Sequence, residues 1–335
     1  MRQRLTEIGW RTAVVLLVQS TYTTAGLSAQ DQSLNAAALF LLLPVGATTV
    51  GMGQSAGAAD GHGEVVFENP AGVATLSSSE FALHTASLAA GPTNALTAFF
   101  QSHRIGVFGA TVYLVDYGDF DLTDSTGTTN GRLASRNFEF LATYATQLTS
   151  SVSVGVSYKL IELAVSCSGA CQMVSTGQGV THALDVGGQF SVGADRALRI
   201  GIALRNIGFP LQVIDRDQAD PLPTRLTVGA AYRVQLRPLA DDSVANRFDL
   251  RVSADVDSPW RQTGNADIRV GVDVGYRQLV RVRGGYAFVH QGFSGPSIGL
   301  GVATGAIGVD LARMFLTRTD LVTPNPTFLS FRVVF

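Results

Sequence analysis

Charge is scarce in this chain, and long apolar runs are missing. Asp, Glu, Lys and Arg make up 15% of its 335 residues, against roughly 25% in an ordinary soluble domain. No stretch approaches the ~18 consecutive apolar residues that a membrane-spanning helix needs. Positive charge is not in excess either. The net charge is −2, which leaves a nucleic acid without an electrostatic handle, and none is expected as a partner. Cysteine is nearly absent, with two residues. A second ligand pair for a metal is lacking, so neither metal nor cofactor is expected. Helical patterning stops at about residue 60. What is abundant is apolar residues, 46% of the chain, and glycine, 36 residues. The mean hydropathy is +0.23. Such a chain must spread its apolar residues with a period other than the helical one.

The N-terminus has the layout of an export signal. Arg2, Arg4 and Arg11 precede a short apolar core, TAVVLLV at 12–18, and small residues run up to Leu27-Ser28-Ala29. Cleavage is expected after Ala29, and no lipid-accepting cysteine follows. A buried N-terminal helix is the alternative. Cys167 and Cys171 lie in SCSGAC. In an oxidising compartment they read as a small disulfide loop, or else as two free thiols in a surface loop.

Beyond about residue 80 the period is two. In SVSVGVSYKL (151–160), Val152, Val154, Val156, Tyr158 and Leu160 share one face and Ser151, Ser153, Gly155, Ser157 and Lys159 the other. ADIRVGVDVGYR, RFDLRVSADVD and RLTVGAAYRVQL alternate in the same way. Strict alternation means strands with one apolar and one polar face. Fourteen such strands are expected, near 80–88, 95–103, 104–116, 137–148, 151–163, 179–192, 197–206, 224–236, 246–257, 266–277, 279–289, 296–304, 306–314 and 327–335. A β-sandwich would use strands of about five or six residues. These are nearer ten, the length of a tilted membrane crossing, and their number is even, as in single-chain bacterial barrels. Links on one side are tight turns, apart from 237–245. Those on the other side, 117–136, 164–178 and 207–223 among them, are longer, which marks the extracellular side. The expected fold is all-β: a 14-stranded antiparallel transmembrane barrel over 80–335, after a signal peptide at 1–29 and an N-terminal segment at 30–79.

Charge decides which face is which. Arg199, Arg225, Arg233, Asp249, Arg251, Asp255, Asp267, Arg269, Asp273, Arg281, Arg283, Asp310 and Arg332 all fall on the polar faces. An arginine facing lipid near the midplane costs roughly 2–4 kcal/mol, so these residues must face a lumen. There they read either as a network of paired charges that holds the wall or as an ion pathway. The closing strand, TFLSFRVVF, carries Leu329, Phe331, Val333 and Phe335 on one face. It looks like the C-terminal signal read by bacterial barrel-assembly machinery, a partner expected alongside outer-membrane lipid.

The stretch VGMGQSAG (50–57) matches two catalytic patterns. Gly51-x-Gly53-x-x-Ala56 reads as a dinucleotide turn, and Gly53-x-Ser55-x-Gly57 as a nucleophile elbow. Both need a strand before and a helix after. Gly61, Gly63 and Pro70 leave no room for such a helix, and none of the five histidines stands in a catalytic context. No catalytic residue is assigned.

Residues 35–75 carry a different pattern. Pro44, Gly46, Ala47, Gly51, Met52, Gly53, Asn69, Pro70, Ala71 and Gly72 resemble the opening block of mature PorV/PorQ outer-membrane barrels, within the wider FadL-like superfamily. Arg205-Asn206-Ile207-Gly208, Leu222-Pro223 and Arg283-Gly284-Gly285-Tyr286 resemble later signatures of the same family. The resemblance implies fourteen strands and a lumenal hatch built from the N-terminal segment, with a helix at about 33–43 near the periplasmic mouth. It implies that Asn69 ties the segment's backbone and that Pro70 sets its bend. It also implies a non-enzymatic role in type IX-type secretion, in which surface loops bind cargo C-terminal domains and secretion-system subunits. Phe209, Leu211, Val213 and Ile214 form an apolar run in the 207–223 link, read either as recognition residues for a ligand or cargo or as packing over the barrel mouth. The wider superfamily implies an alternative, the passive transport of small hydrophobic molecules.

Overall fold

A computed structural model describes residues 36–124, 126–171, 177–193, 195–212, 219–234, 248–260, 265–277, 279–290, 294–317 and 325–335. All belong to the compact unit Ser33–Phe335. The expected signal peptide, the whole of the 237–245 link, and Val213 and Ile214 lie outside the described residues.

Fourteen antiparallel strands close into a barrel: β1 (Glu80–Leu88), β2 (Gly91–Ser102), β3 (Gly106–Thr123), β4 (Thr129–Gln147), β5 (Val152–Gly169), β6 (Gly177–Val192), β7 (Leu198–Gly208), β8 (Arg225–Val234), β9 (Phe248–Pro259), β10 (Asp267–Tyr276), β11 (Val280–Phe288), β12 (Gly295–Thr304), β13 (Ile307–Met314) and β14 (Thr327–Val334). Each strand pairs with its sequence neighbours, and β1 closes on β14 with Glu80 opposite Val334 and Leu83 opposite Phe331. The seam continues past the strands, where Ser79 N donates to Phe335 O at 3.1 Å and Phe335 N to Ser79 O at 3.0 Å. Closure leaves no open edge along the lipid-facing wall, the condition for crossing a bilayer with strands.

The alternation read from the sequence is the alternation of the wall. In β10, Ile268, Val270, Val272 and Val274 are exposed outward while Asp267, Arg269 and Asp273 are buried inward. An outer surface of Phe, Leu, Ile and Val is stable only against lipid.

Two links differ from expectation. Residues 117–136 and the start of 164–178 are not loops: β3, β4 and β5 run for 18, 19 and 18 residues and rise together above the rim. Their upper parts are polar, so apolar periodicity could not reveal them. Cross-strand charge holds them instead, with Arg136 Nε 3.3 Å from Asp116 Oδ2 and Arg132 Nε 3.5 Å from Asp121 Oδ1. A register shift between Asp116 and Asp119 marks where the extension departs from the barrel. Cys167 and Cys171 form a disulfide with Cα atoms 6.0 Å apart, at the tip of β5.

The N-terminal segment fills the lumen as short helical turns: Leu39–Leu42, Ala47–Gly51, Gly63–Phe67 and Pro70–Thr75. Helical structure therefore continues past residue 60, in pieces too short to show a period. The first turn does not sit near the periplasmic mouth. Ala37 N donates to Pro221 O at 3.0 Å, beneath the extracellular link between β7 and β8, and Phe40 stacks on Tyr113 at 6.1 Å. Phe40 and Leu41 of the apolar LFLL sequence join a buried apolar cluster there that includes Tyr113, Leu211 and Leu222.

Candidate functional site

Glycine explains how the segment fits. Wall glycines face it on successive strands: Gly155 opposite Gly187, Gly201 opposite Gly229, and Gly271 opposite Gly285. Chain runs backbone to backbone against this belt. At Gly53, whose φ is +63°, a Cβ would stand 2.5 Å from both Val270 O and Tyr286 N. Gly51 meets the Gly299 Cα at 3.1 Å from its own would-be Cβ. At Gly53 a side chain would need both forbidden space and a left-handed backbone.

Wall side chains then accept hydrogen bonds from the segment's N–H groups, as buried backbone requires. Ala47 N donates to Ser330 Oγ at 2.9 Å, Gly53 N to Ser297 Oγ at 3.1 Å, Gly57 N to Asp255 Oδ2 at 2.7 Å and Gly63 N to Glu80 Oε1 at 2.7 Å. Asn69 is fully buried. Its Oδ1 accepts from Ala71 N at 3.0 Å and its Nδ2 donates to Gly57 O at 2.7 Å, while Pro70 opens the following turn. Pro44 and Met52 flank the helical turn Ala47–Gly51, with Gly46 as its N-cap at φ +84°.

Ser55 has no catalytic surroundings. Its Oγ donates to Met52 O at 2.8 Å and lies 2.5 Å from Ser253 Oγ. A second serine does meet a histidine and an acid: Ser330 Oγ is 2.8 Å from His84 Nδ1 and 3.5 Å from Glu64 Oε2. Glu64 Oε2 approaches the same ring nitrogen at 3.6 Å. A relay needs the acid and the serine on opposite nitrogens, so this trio ties the segment to β1 and β14. Burial, aided by the nearby Asp310 charge, raises the Glu64 carboxyl from near 4.5 to about 7.

The lumenal charges form clusters. Asp257 accepts from Arg269 Nη2 at 2.8 Å, Arg225 Nε at 3.2 Å and Arg205 Nη2 at 3.5 Å. Glu68 of the N-terminal segment joins at 3.0 Å from Arg205 and 3.3 Å from Arg269, and Asp267 pairs with Arg225. Three guanidinium groups thus face three carboxylates. Arg281 spans Asp249 and Asp273, each at 2.8 Å, and Arg283 holds Asp310 at 2.6 Å. Arg199 and Arg251 share Asp60. Arg233 and Arg332 have no carboxylate within 4.0 Å among the described residues. Sequence reasoning missed several members. Lys159 is buried between Glu139 and Asp185, 2.9 Å from each, and Asp257, Glu68 and Glu64 were likewise not singled out, while Arg205 stood only in a family signature and not among the lumenal charges. Lys159 and Asp257 stood on the polar faces of their strands, which is the signal that could have found them.

Above the segment lies a cavity of about 340 Å³. Its floor is apolar, with Leu39, Leu41–Val45 and Phe67 from the segment and Tyr113 and Val289 from the wall. Its other side is polar: Lys159, Arg205, Arg225 and Arg269 with their acids. Of the candidate recognition residues, Phe209 is 72% exposed. Leu211 is 2% exposed and packs inward, its backbone bridged to Asp220, so it does not face outward.

These features define an outer-membrane β-barrel: a closed fourteen-strand wall with an apolar outer face and a lumen stoppered by its own N-terminal segment. The fold is that of the FadL-like barrels. It is similar to a structure described as the CymD monoaromatic hydrocarbon channel (TM-score 0.59, 15% identity, 88% of this chain and 98% of that one). It is also similar to the P. putida toluene transporter TodX (0.55, 13%, 87% and 98%) and to a Pseudomonas aeruginosa FadL homologue (0.53, 11%, 88% and 99%). At these identities the likeness bears on the fold alone. No protein-family model and no curated protein matches the sequence.

Proposed function

We infer that this barrel passively carries small hydrophobic or amphiphilic molecules across the outer membrane, without enzymatic chemistry, and that residues 36–79 are its hatch. The observation that carries the reading is the cavity above the hatch. At about 340 Å³ it falls in the range of small-molecule sites, roughly 300–1,000 Å³. An apolar floor meets a charged side, which suits a molecule with an apolar body and at most one polar end. The similar barrels described as a hydrocarbon channel and a toluene transporter support the same reading. The test is uptake of a labelled monoaromatic hydrocarbon and a fatty acid by proteoliposomes. Uptake of either above empty liposomes, abolished by filling the cavity with Leu41→Trp, is expected. Uptake no greater than that of empty liposomes overturns it.

A second reading rests on the opening block's resemblance to PorV/PorQ barrels: the protein receives exported cargo at the cell surface in type IX-type secretion. One observation favours it, the three-strand extension β3–β5, a platform large enough for a protein partner. Pull-down from native outer membranes separates the two readings. Exported proteins sharing one C-terminal domain would support the shuttle. A barrel recovered with only small apolar molecules would support the transporter.

A further inference from the structure

The periplasmic side of the hatch holds a second, larger space, about 930 Å³. Its lining is unlike that of the upper cavity. Six arginines face it, Arg233, Arg251, Arg277, Arg281, Arg283 and Arg332, against three aspartates, Asp60, Asp249 and Asp273. Every one of those aspartates is already engaged, Asp60 by Arg199 and Arg251, Asp249 by Arg281, and Asp273 by Arg281 and Arg283. Arg283 has a further partner in Asp310. Arg233 and Arg332, both on inward faces, have no carboxylate within 4.0 Å among the described residues, and the acid whose charge Arg332 meets at longer range, Glu80, already accepts from Gly63 N.

The placement is costly. Arg233 stands directly opposite Arg251 in the β8–β9 register, and like charges so placed destabilise a sheet. Asp60, which pairs with Arg251, is shared with Arg199, and Asp273, opposite Arg251 across β9 and β10, is taken by Arg281 and Arg283. Nothing in the wall needs this arrangement, since neutral side chains would line a water-filled mouth equally well. The hatch adds His62, which lines the same space with its Nδ1 buried and without a hydrogen-bond partner. Burial, and then the charges of Arg332, Arg283 and Arg251, hold that imidazole well below its usual value. His62 of the hatch is therefore within reach of the charges of Arg332, Arg283 and Arg251.

We propose that the periplasmic vestibule is a binding site for the oxyanion of a small soluble molecule, a carboxylate or phosphate, gripped by Arg233 and Arg251 and faced by Arg332 and His62. Guanidinium groups suit this task because their planar fork matches both oxyanions and stays charged at any physiological pH. The site does not depend on what crosses the upper cavity.

Isothermal titration calorimetry on the full-length protein in neutral detergent tests it, with citrate and inorganic phosphate as separate titrants. Saturable binding of at least one is expected, and the tighter of the two identifies the carboxylate or the phosphate source. Binding should weaken with added sodium chloride, because a solvated mouth is screened within about 8–10 Å. The double variant Arg233→Gln/Arg332→Gln should lose roughly tenfold in affinity, the scale of a lost charge-assisted hydrogen bond. Should that variant not assemble, Arg233→Lys serves in its place. It keeps the charge, loses the fork, and should still bind several-fold more weakly. Absence of saturable binding by the wild type overturns the proposal. So does unchanged affinity in a variant that runs as a folded barrel.

Discussion

At the scale of single residues, the lumen is governed by the cost of burying charge. Lys159 is the one lysine of the chain, and it lies between two carboxylates at 2.9 Å, with Asn206 Oδ1 accepting at 2.8 Å. Removing one partner of a buried pair costs about 3–5 kcal/mol. Lys159→Met should destabilise the barrel by that amount in urea unfolding, and adding Glu139→Gln should restore part of the loss. Glu64 makes the hatch pH-sensitive. Its folded pKa, about 7, exceeds its ordinary value of 4.5, so the folded state holds the proton more tightly. Its contribution is greatest below about pH 4.5 and is lost as pH rises through 7, a change of about 3 kcal/mol at most. Hydrogen-exchange protection at Ala47–Met52, with the intrinsic pH dependence of amide exchange divided out, should therefore be lower at pH 8 than at pH 5.5. Glu64→Gln should flatten that difference, and a slope that survives the substitution would assign it elsewhere.

At the scale of elements, the hatch is held by absence of side chains as much as by contacts. Gly53→Val would place carbon where β10 and β11 backbone already stands and would force a branched residue into positive φ. The hatch should then unseat while the barrel still closes: limited proteolysis should cut within 46–75, and conductance in planar bilayers should rise. The β3–β5 extension behaves oppositely. It stands above the lipid-facing wall and is held by exposed charge pairs, each worth about 0–1 kcal/mol. Shortening β3 and β4 together at residues 119–134 should leave heat-modifiable migration on gels unchanged.

At the scale of the whole molecule, the apolar coat and the closing seam decide whether the chain reaches its membrane. Val272 is 43% exposed on the outer face, and Val272→Arg should cost about 2–4 kcal/mol in barrel stability. The same change on the lumenal side has a different price, because opposite charges and water are present there. Deleting Phe335 removes both seam hydrogen bonds with Ser79 and the ring contact with Phe100 at 6.4 Å. Assembly into the outer membrane should fall, as read by the fraction of folded protein in the membrane.

Strand number, order and facing were legible in the sequence because lipid and lumen impose opposite demands on alternate residues. That demand leaves a period of two that no loop imitates over ten residues. The upper parts of β3–β5 escaped it, since above the lipid both faces meet water and the pattern lapses. The glycines of VGMGQSAG could be seen to be chosen for size, but not which wall they touch. Pairing Gly53 with Val270 and Tyr286, or Glu68 with Arg205 and Arg269, joins residues over a hundred positions apart, and only closure of the barrel brings them together. The same holds for the turn at Leu39–Leu42. Its apolar sequence requires burial, but the tertiary structure alone places it under the extracellular links, where Tyr113, Leu211 and Leu222 supply apolar surface that the charged periplasmic mouth lacks.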